Sequence, residues 1–236
     1  MRFPPFHWWR TVFFLIPVIG LATIGLGTLS LLASLADRTG SKAHRCAQWW
    51  SRFILWTSGV RLEHRGALPP PGQRCIFVAN HSSFYDIPIL FAAVPRQLRI
   101  IAKATLGRIP FIGWHLHRSG HLLVYRHNPG ASIFKKMQRM THQGAALIVF
   151  PEGGRTEDGE LLPFKPGVFL LAIENDLAIV PLSVSGGREV MPIGRLMVRP
   201  ATVRITVHEP ISTATLERGD ARRLAVEVRE IVASDV

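Results

Sequence analysis

Residues that build disulfides and thiolate metal sites are scarce in this chain. Its 236 residues include two cysteines, Cys46 and Cys75, which excludes a disulfide framework and a zinc site with four thiolate ligands. Acidic residues are also few, 16 against 28 lysines and arginines, so the formal net charge is +12. This balance favours anionic partners: nucleic acid, a phospholipid surface or a phosphorylated substrate. Because 47% of the residues are hydrophobic, a disordered basic tail is excluded.

Signatures of several common enzyme classes are missing as well. No serine has a glycine two residues before it and another two residues after it, so the nucleophile elbow of the α/β-hydrolases is absent. No Gly-Lys-Ser or Gly-Lys-Thr occurs, which excludes a Walker P-loop. His115, His117 and His121 lie close together, but no carboxylate or cysteine accompanies them. We therefore predict no metal site and interpret these three side chains as surface histidines on a basic face.

The longest hydrophobic run lies near the first residue. No residue from Thr11 to Ala36 is charged, and roughly 20 apolar residues in a helix suffice to cross a bilayer core. A cleaved signal peptide is one alternative, since residues 33–36 resemble a cleavage site, but its apolar region spans only roughly 7–15 residues. A buried helix of a soluble protein is another, although a chain of this size has little else to enclose such a run. We predict that this segment associates with a membrane.

An aromatic and basic segment follows the apolar run. Residues 49–56 carry Trp49, Trp50 and Trp56 beside Arg52, a composition typical of a helix at the membrane interface. Two arrangements fit: one spanning helix, or a pair of helices within a single leaflet. The basic excess after the run predicts that the rest of the chain lies at the cytoplasmic face of the inner (plasma) membrane. We divide the chain into membrane-associated helices, residues 1–59, and an α/β domain, residues 60–236.

From about Leu62 the pattern becomes that of an α/β domain. Short apolar runs typical of buried strands alternate with helical patterns. This alternation predicts a mostly parallel central sheet flanked by helices. The predicted strands are Cys75–Ala79, Leu98–Ala102, Leu122–Tyr125, Ala146–Phe150, Ala178–Ser185 and Thr202–His208. The predicted helices are Ile87–Ala93, Ala131–Gln143, Val168–Asn175 and Leu216–Ser234.

A histidine and an aspartate follow the first of these strands. Residues 80–86 read Asn-His-Ser-Ser-Phe-Tyr-Asp, and loops after strands are where open α/β sheets bind ligands. Pro88 marks the first turn of the next helix, so Asp86 lies near the helix start and its carboxylate can reach back to His81. Such a pair is typical of a general base with its orienting acid. Taken alone, the motif also fits a purely structural hydrogen bond.

A glycine-rich turn follows the strand Ala146–Phe150. Residues 150–156 read Phe-Pro-Glu-Gly-Gly-Arg-Thr, in which the glycines permit close backbone approach and the guanidinium of Arg155 suits a phosphate group. Other basic residues recur beside turn signals, and together they predict an anion-binding cleft. These residues are Lys103, Arg108, Arg126 and Lys165.

Four segments resemble, in order, the motifs of the glycerolipid acyltransferase family, most closely the bacterial-type 1-acyl-sn-glycerol-3-phosphate (lysophosphatidic acid) acyltransferases. They are His81–Asp86 (HxxxxD), Gly107–Trp114, residues 150–156 and Val180–Gly186, and the resemblance covers residues 62–209. It implies transfer of a fatty acyl group from an acyl-CoA or acyl-carrier-protein thioester to the sn-2 hydroxyl of 1-acylglycerol-3-phosphate. The product would be phosphatidate.

The resemblance also implies roles for residues. His81 would be the general base and Asp86 its partner, while Glu152, Gly153 and Arg155 would belong to the acceptor-binding motif, with Arg155 on the phosphate. The assignment extends to Lys103 and Arg108. Gly154 departs from the family, which usually has Thr or Ser there, so a hydroxyl contact is missing.

No resident cofactor is implied, because the acyl thioester is a co-substrate. The expected partners are a phospholipid membrane, a lysophospholipid and the thioester carrier. Nucleic acid is not expected, since strands rich in aromatic and basic residues are lacking.

Two alternatives remain open. The chain could acylate another lyso-lipid, such as a lyso-ornithine lipid, because the headgroup contacts lie outside the motifs. It could also be a non-catalytic, basic membrane-peripheral protein that binds anionic lipids. The second alternative explains the charge and the apolar run, but not the pair His81 and Asp86 beside a phosphate-binding turn.

Overall fold

The central element of the fold is a mostly parallel β-sheet. The computed structural model describes residues 5–37, 39–124, 130–142, 145–155 and 160–236. Within them the strands are β1 (Arg61–Arg65), β2 (Cys75–Ala79), β3 (Leu98–Lys103), β4 (Leu122–Val124), β5 (Ala146–Val149), β6 (Ala178–Ser185) and β7 (Thr202–Val207). They form one sheet in the order β1-β7-β6-β2-β5-β3-β4. Each neighbouring pair is parallel except β6 and β7, so the predicted fold class is confirmed.

Helices surround the sheet. The amino-terminal helix spans Phe6–Ala36 and contains a π-helical turn at Thr11–Leu15. The other helices are Ser41–Ser58, Asp86–Ala93, Ile112–Arg118, Gly130–His142, Gly167–Glu174, Gly187–Val190 and Ala221–Ala233, with 3-10 turns at Ala104–Arg108 and Arg218–Asp220. The predicted strands and helices are found to within one residue at their described ends, except that the last helix begins at Ala221, five residues after the predicted Leu216. Tyr125 and Gln143, which were predicted as element ends, lie outside the described residues.

The sequence does not predict β1, the helix Ile112–Arg118, the four-residue helix Gly187–Val190 or the two 3-10 turns. β1 consists of mostly exposed polar and charged residues and pairs with a single neighbour, β7, so it carries no apolar pattern. The helix Ile112–Arg118 is two turns long, too short for a clear periodicity.

Apolar side chains form a core on each face of the sheet. Alternate residues of β2 point to opposite faces: Phe77 belongs to one core and Ile76 to the other. The first core includes Ile54 and Leu90, from the helices on the amino-terminal side, and the second includes Val228 from the last helix. β2 is buried along its whole length, as expected for a central parallel strand covered on both faces.

The amino-terminal helix packs against the first core. In the described part of the chain, Phe6–Ala36 is the one helix long and apolar enough to cross a membrane, judged by length and composition. Much of its apolar surface is exposed, as at Leu21 and Leu35, whereas Leu15 is fully buried in the first core. The indole of Trp50 donates a hydrogen bond to the Thr23 hydroxyl at 2.9 Å, which joins this helix to the next. The division at residues 59 and 60 stays a prediction.

The segment Gly107–Trp114 packs against the amino-terminal helix at Gly27. A Cβ on Gly27 would lie 2.8 Å from the Cβ of Phe111, so a larger residue would displace this contact. Phe111 has a φ of 61°, in the left-handed region that bulky residues rarely occupy. Gly113 lies so close to the Gly107 carbonyl group that a Cβ would clash with it. The segment Gly107–Trp114 is therefore closely packed, and Phe111 holds it against the amino-terminal helix, most of which is exposed.

Candidate active site

The candidate site residues expected from the sequence converge at one edge of the sheet. His81 follows β2, Arg155 follows β5, and Lys103 ends β3; these strands are neighbours in the order β2-β5-β3. Because parallel strands end at the same edge, the three side chains meet there. Together with Lys165 they line a cavity of about 410 Å³. The cavity combines these cationic groups with an apolar lining from Ile87, Ile100, Ala102, Leu106, Val149 and Val168.

His81 and Asp86 form a hydrogen-bonded pair at the cavity. Nδ1 of His81 lies 2.8 Å from Oδ2 of Asp86. The Asp86 carboxylate is fully buried at the start of its helix, and the same oxygen accepts backbone N–H groups of Ser82 at 2.7 Å and Ser83 at 2.9 Å. A carboxylate at Nδ1 requires the proton to be on that nitrogen, so Nε2 is left as the acceptor. The geometry therefore gives the imidazole one defined tautomer.

Aromatic and amide contacts fix the loop that carries His81. The imidazole stacks on the ring of Phe150, with 4.3 Å between ring centroids. The side chain of Asn80 accepts the N–H of Val184 at 2.8 Å and donates to its carbonyl group at 2.9 Å. These contacts attach the end of β2 to β6, which carries the fourth motif. A Cβ on Gly187, just after β6, would lie 2.7 Å from Oδ1 of Asp86, so the absence of a side chain there leaves space for the carboxylate.

Glu152 supports the same loop from the other side. Its Oε1 accepts the backbone N–H of His81 at 2.7 Å, and its Oε2 accepts that of Leu162 at 3.0 Å. The side chain is buried. Burial raises the pKa of the carboxyl group, and the two N–H donors oppose that rise. The contacts of Glu152 in the structure are thus with the protein backbone, and they hold the His81 main chain in place.

Glu152→Gln should therefore weaken the fold around His81. Glutamine keeps one acceptor oxygen but turns an amide NH₂ toward the second backbone donor, and an unsatisfied buried donor costs about 1–3 kcal/mol. We expect a loss of that size in the free energy of unfolding together with a lower kcat. Chemical denaturation in detergent micelles measures the first quantity. Glu209→Gln, at an exposed carboxylate, is the matched control; equal stability of the two variants would contradict this role.

Arg155 of the glycine-rich turn and the nearby Lys165 both line the cavity. The Arg155 guanidinium lies over the ring of Phe84, with its Cζ 3.7 Å from the ring centroid. Gly153 has a φ of 70°, and a Cβ there would lie 2.5 Å from Nζ of Lys165. The backbone conformation favours glycine, and the absence of a side chain lets the lysine approach closely. The result is two cationic side chains beside the glycine-rich turn at the wall of the cavity.

The remaining predicted site residues do not all line the cavity. Lys103 lines the cavity. Arg108 is exposed at the end of a 3-10 turn and is not among the described lining residues. Arg126 lies outside the described residues. At Gly154 a Cβ would meet its nearest described neighbour at 3.9 Å, so none of the described residues would obstruct a larger side chain there.

The expectation that the three nearby histidines lie on the surface is wrong for His121 and in part for His115. His121 is buried, and its Nδ1 accepts the backbone N–H of Ile100 at 3.1 Å. Nδ1 of His115 lies 2.6 Å from the Ser30 hydroxyl of the amino-terminal helix. Burial lowers the pKa of both imidazoles, to about 4 for His115. His117 is exposed, and the described residues contain no cluster of three or more metal-binding side chains.

Comparison with known proteins identifies the family to which the chain belongs. The chain belongs to the Acyltransferase family, which matches residues 60–185 and so includes His81, Asp86 and the glycine-rich turn. A chloroplastic 1-acyl-sn-glycerol-3-phosphate acyltransferase of Brassica napus is 33% identical over 84% of this chain. The chain spans 60% of the length of that relative.

Two further relatives resemble almost the whole chain. A lyso-ornithine lipid O-acyltransferase of Pseudomonas aeruginosa is 28% identical, over 88% of this chain and 87% of its own length. The crystal structure of the 1-acyl-sn-glycerophosphate acyltransferase PlsC from Thermotoga maritima matches with a TM-score of 0.78 and 24% identity, over 97% of each chain. That match establishes a common fold.

Proposed function

We propose that this chain transfers a fatty acyl group from an acyl-CoA or acyl-carrier-protein thioester to the sn-2 hydroxyl of 1-acylglycerol-3-phosphate, which yields phosphatidate. The observation that carries the proposal is the His81–Asp86 pair at a cavity with cationic groups and an apolar lining. A lysophosphatidate has the matching parts, a phosphate and an acyl chain. The activity named for the Brassica relative supports this choice.

The proposed chemistry needs one base and no resident cofactor. An alcohol has almost no alkoxide at neutral pH, so Nε2 of His81 takes the hydroxyl proton as the oxygen attacks the thioester carbonyl carbon. The buried Asp86 carboxylate stabilises the imidazolium that forms. The carbon–sulfur bond then breaks, and the imidazolium returns its proton to the departing thiolate. The new ester bond and the free thiol balance the reaction.

The cationic groups of the cavity favour an acceptor with a phosphate. Arg155 offers a planar fork for two phosphate oxygens, and Lys165 adds a second positive charge beside the Gly153 backbone. A lyso-ornithine lipid has no phosphate and carries an amine of its own. It is the second candidate acceptor because the Pseudomonas relative matches this chain over most of both lengths.

A membrane location follows from the same proposal. The acceptor and the product are lipids, and the exposed apolar surface of the amino-terminal helix suits hydrocarbon. We propose that the helices of residues 1–59 hold the cavity at the cytoplasmic face of the inner (plasma) membrane. A spanning helix and a helix pair within one leaflet both fit this placement.

Arg155→Lys tests the phosphate contact. Lysine keeps the charge but cannot form the two parallel hydrogen bonds of a guanidinium, and loss of a charged hydrogen bond costs about 1.5–3 kcal/mol. We expect a higher KM for lysophosphatidate and an unchanged KM for the thioester. Steady-state kinetics with each substrate varied in turn measures both values, and Arg74→Lys, at an exposed arginine away from the cavity, is the control. A higher KM for the thioester alone would assign Arg155 to the donor instead.

An acceptor panel tests the function itself. Purified protein in micelles is given one thioester and either lysophosphatidate, a lyso-ornithine lipid or lysophosphatidylethanolamine, with the His81→Ala variant as a blank. We expect the highest kcat/KM with lysophosphatidate. A preference for the lyso-ornithine lipid would select the second candidate, and no transfer to any acceptor would contradict both.

A further inference from the structure

The helix Gly130–His142 carries a cationic face. Lys135, Lys136 and Arg139 are exposed, whereas Met137 and Thr141 of the same helix are buried. Residues 135 and 139 are one helical turn apart, so the three basic side chains point away from the protein together. No acidic side chain in the described parts of the chain forms an ion pair with them. Among the described residues, the positive charge of this face is therefore not compensated by an ion pair.

This face lies on the side of the sheet away from the amino-terminal helix. Met137 belongs to the second core, together with Val168 and Val228. The amino-terminal helix contributes Leu15 to the first core, across the sheet. A bilayer that contacts the exposed apolar side of the amino-terminal helix is therefore separated from the cationic face by the sheet. This placement favours a water-soluble anionic partner for the face over the lipid surface on which the protein sits.

The same helix forms part of the cavity wall. The side chain of Met137 lines the cavity that also contains His81. All three cationic residues, Lys135, Lys136 and Arg139, lie within two positions of Met137 in the sequence. A macromolecule bound to the outer side of the helix would thus lie next to the cavity, on the aqueous side. This is the side from which a water-soluble thioester donor arrives.

We propose that Lys135, Lys136 and Arg139 form a docking face for an acidic acyl carrier protein, which delivers its thioester to His81. This inference rests on the proposed function and names its donor. Complementary charge on two protein surfaces accelerates association and selects the partner. The three side chains project outward from a convex helix surface, whereas tight binding of the phosphates of coenzyme A needs donors that converge in a concave site.

Charge reversal tests the docking face with two donors. The variant Lys135→Glu, Lys136→Glu and Arg139→Glu is compared with the wild-type protein, with the same acyl chain on a carrier protein or on coenzyme A. We expect kcat/KM for the acyl carrier protein to fall on the order of tenfold or more at low salt, because rim charges govern association, while kcat/KM for acyl-CoA is little changed. Added salt should lower the wild-type kcat/KM with the carrier protein. It should thereby reduce the difference in kcat/KM between the wild-type protein and the charge-reversal variant.

The control variant reverses three exposed arginines elsewhere, Arg65→Glu, Arg74→Glu and Arg222→Glu, which gives the same change in net charge. It should retain the wild-type kcat/KM with both donors. Binding of a fluorescently labelled carrier protein, measured by anisotropy, provides a readout that does not depend on turnover. The variant with alanine at 135, 136 and 139, which keeps a strong helix former at each position, should also weaken this binding.

The outcomes separate the inference from the proposed function. Wild-type transfer from acyl-CoA but not from the carrier protein would overturn the docking face and leave the proposed function intact. An equal loss with both donors would overturn it as well, since the helix would then serve folding or coenzyme A binding. Absence of transfer from either donor to any lyso-lipid would contradict the proposed function and, with it, this inference.

Discussion

His81→Ala should lower kcat for acyl transfer by about 10²–10⁴-fold, the contribution typical of a positioned general base. The imidazole has one defined tautomer because Asp86 accepts the Nδ1 proton, and Nε2 is left to accept the proton of the acceptor hydroxyl. The loop itself is held by its backbone bond to Glu152 and by Asn80, both of which survive the substitution. We therefore expect the variant to fold and to bind membranes as the wild type does.

Initial rates with a radiolabelled thioester measure this effect, and thermal unfolding checks the fold. The matched control is His64→Ala, which removes an exposed histidine from the edge strand β1 and should leave kcat unchanged. Wild-type turnover by a folded His81→Ala protein would exclude His81 as the base.

Asp86→Asn should also lower kcat strongly, by up to about 10⁴-fold, the loss seen when a buried aspartate that orients a catalytic histidine becomes an amide. If the amide oxygen takes the position of Oδ2, it keeps the three N–H donors but no longer offers a negative charge to the imidazolium. If the NH₂ group takes that position, it faces those donors and forces the imidazole proton onto Nε2. Both orientations disable the base while leaving the substrate contacts in place.

The kinetic signature of this variant is a fall in kcat with little change in either KM. Asp176→Asn is the control, because that aspartate is exposed and its φ of 49° is one that asparagine tolerates. An increase in KM without a change in kcat would assign Asp86 to substrate binding rather than to orientation of His81.

Local signals in the sequence account for the elements that were predicted correctly. β2, β5 and β6 are short apolar runs because both faces of these central strands are covered. The orientation of β7, antiparallel to β6, has no local signal, since its apolar pattern is the same in either direction. β1 was missed because an exposed edge strand needs no apolar residues.

The contacts of the candidate site are likewise of two kinds: local contacts, which the sequence predicts, and contacts between distant residues, which it does not. His81 and Asp86 are five residues apart, so their contact could be predicted from the turn and the helix start. The bonds of Glu152 to the His81 backbone and of Asn80 to Val184 join residues 71 and 104 positions apart, and they exist only because β5 and β6 both pair with β2. The burial of His115 likewise depends on the packing of the distant amino-terminal helix, which no local pattern reveals.

The most direct test of the account follows the oxygen atom of the acceptor. Lysophosphatidate labelled with ¹⁸O at its free hydroxyl is incubated with the purified protein and an acyl thioester, and the products are identified by mass spectrometry. We predict phosphatidate that retains ¹⁸O in the new ester bond, with one free thiol released for each ester formed, and formation of the same product about 10²–10⁴-fold more slowly by His81→Ala. Release of free fatty acid without labelled phosphatidate would contradict it.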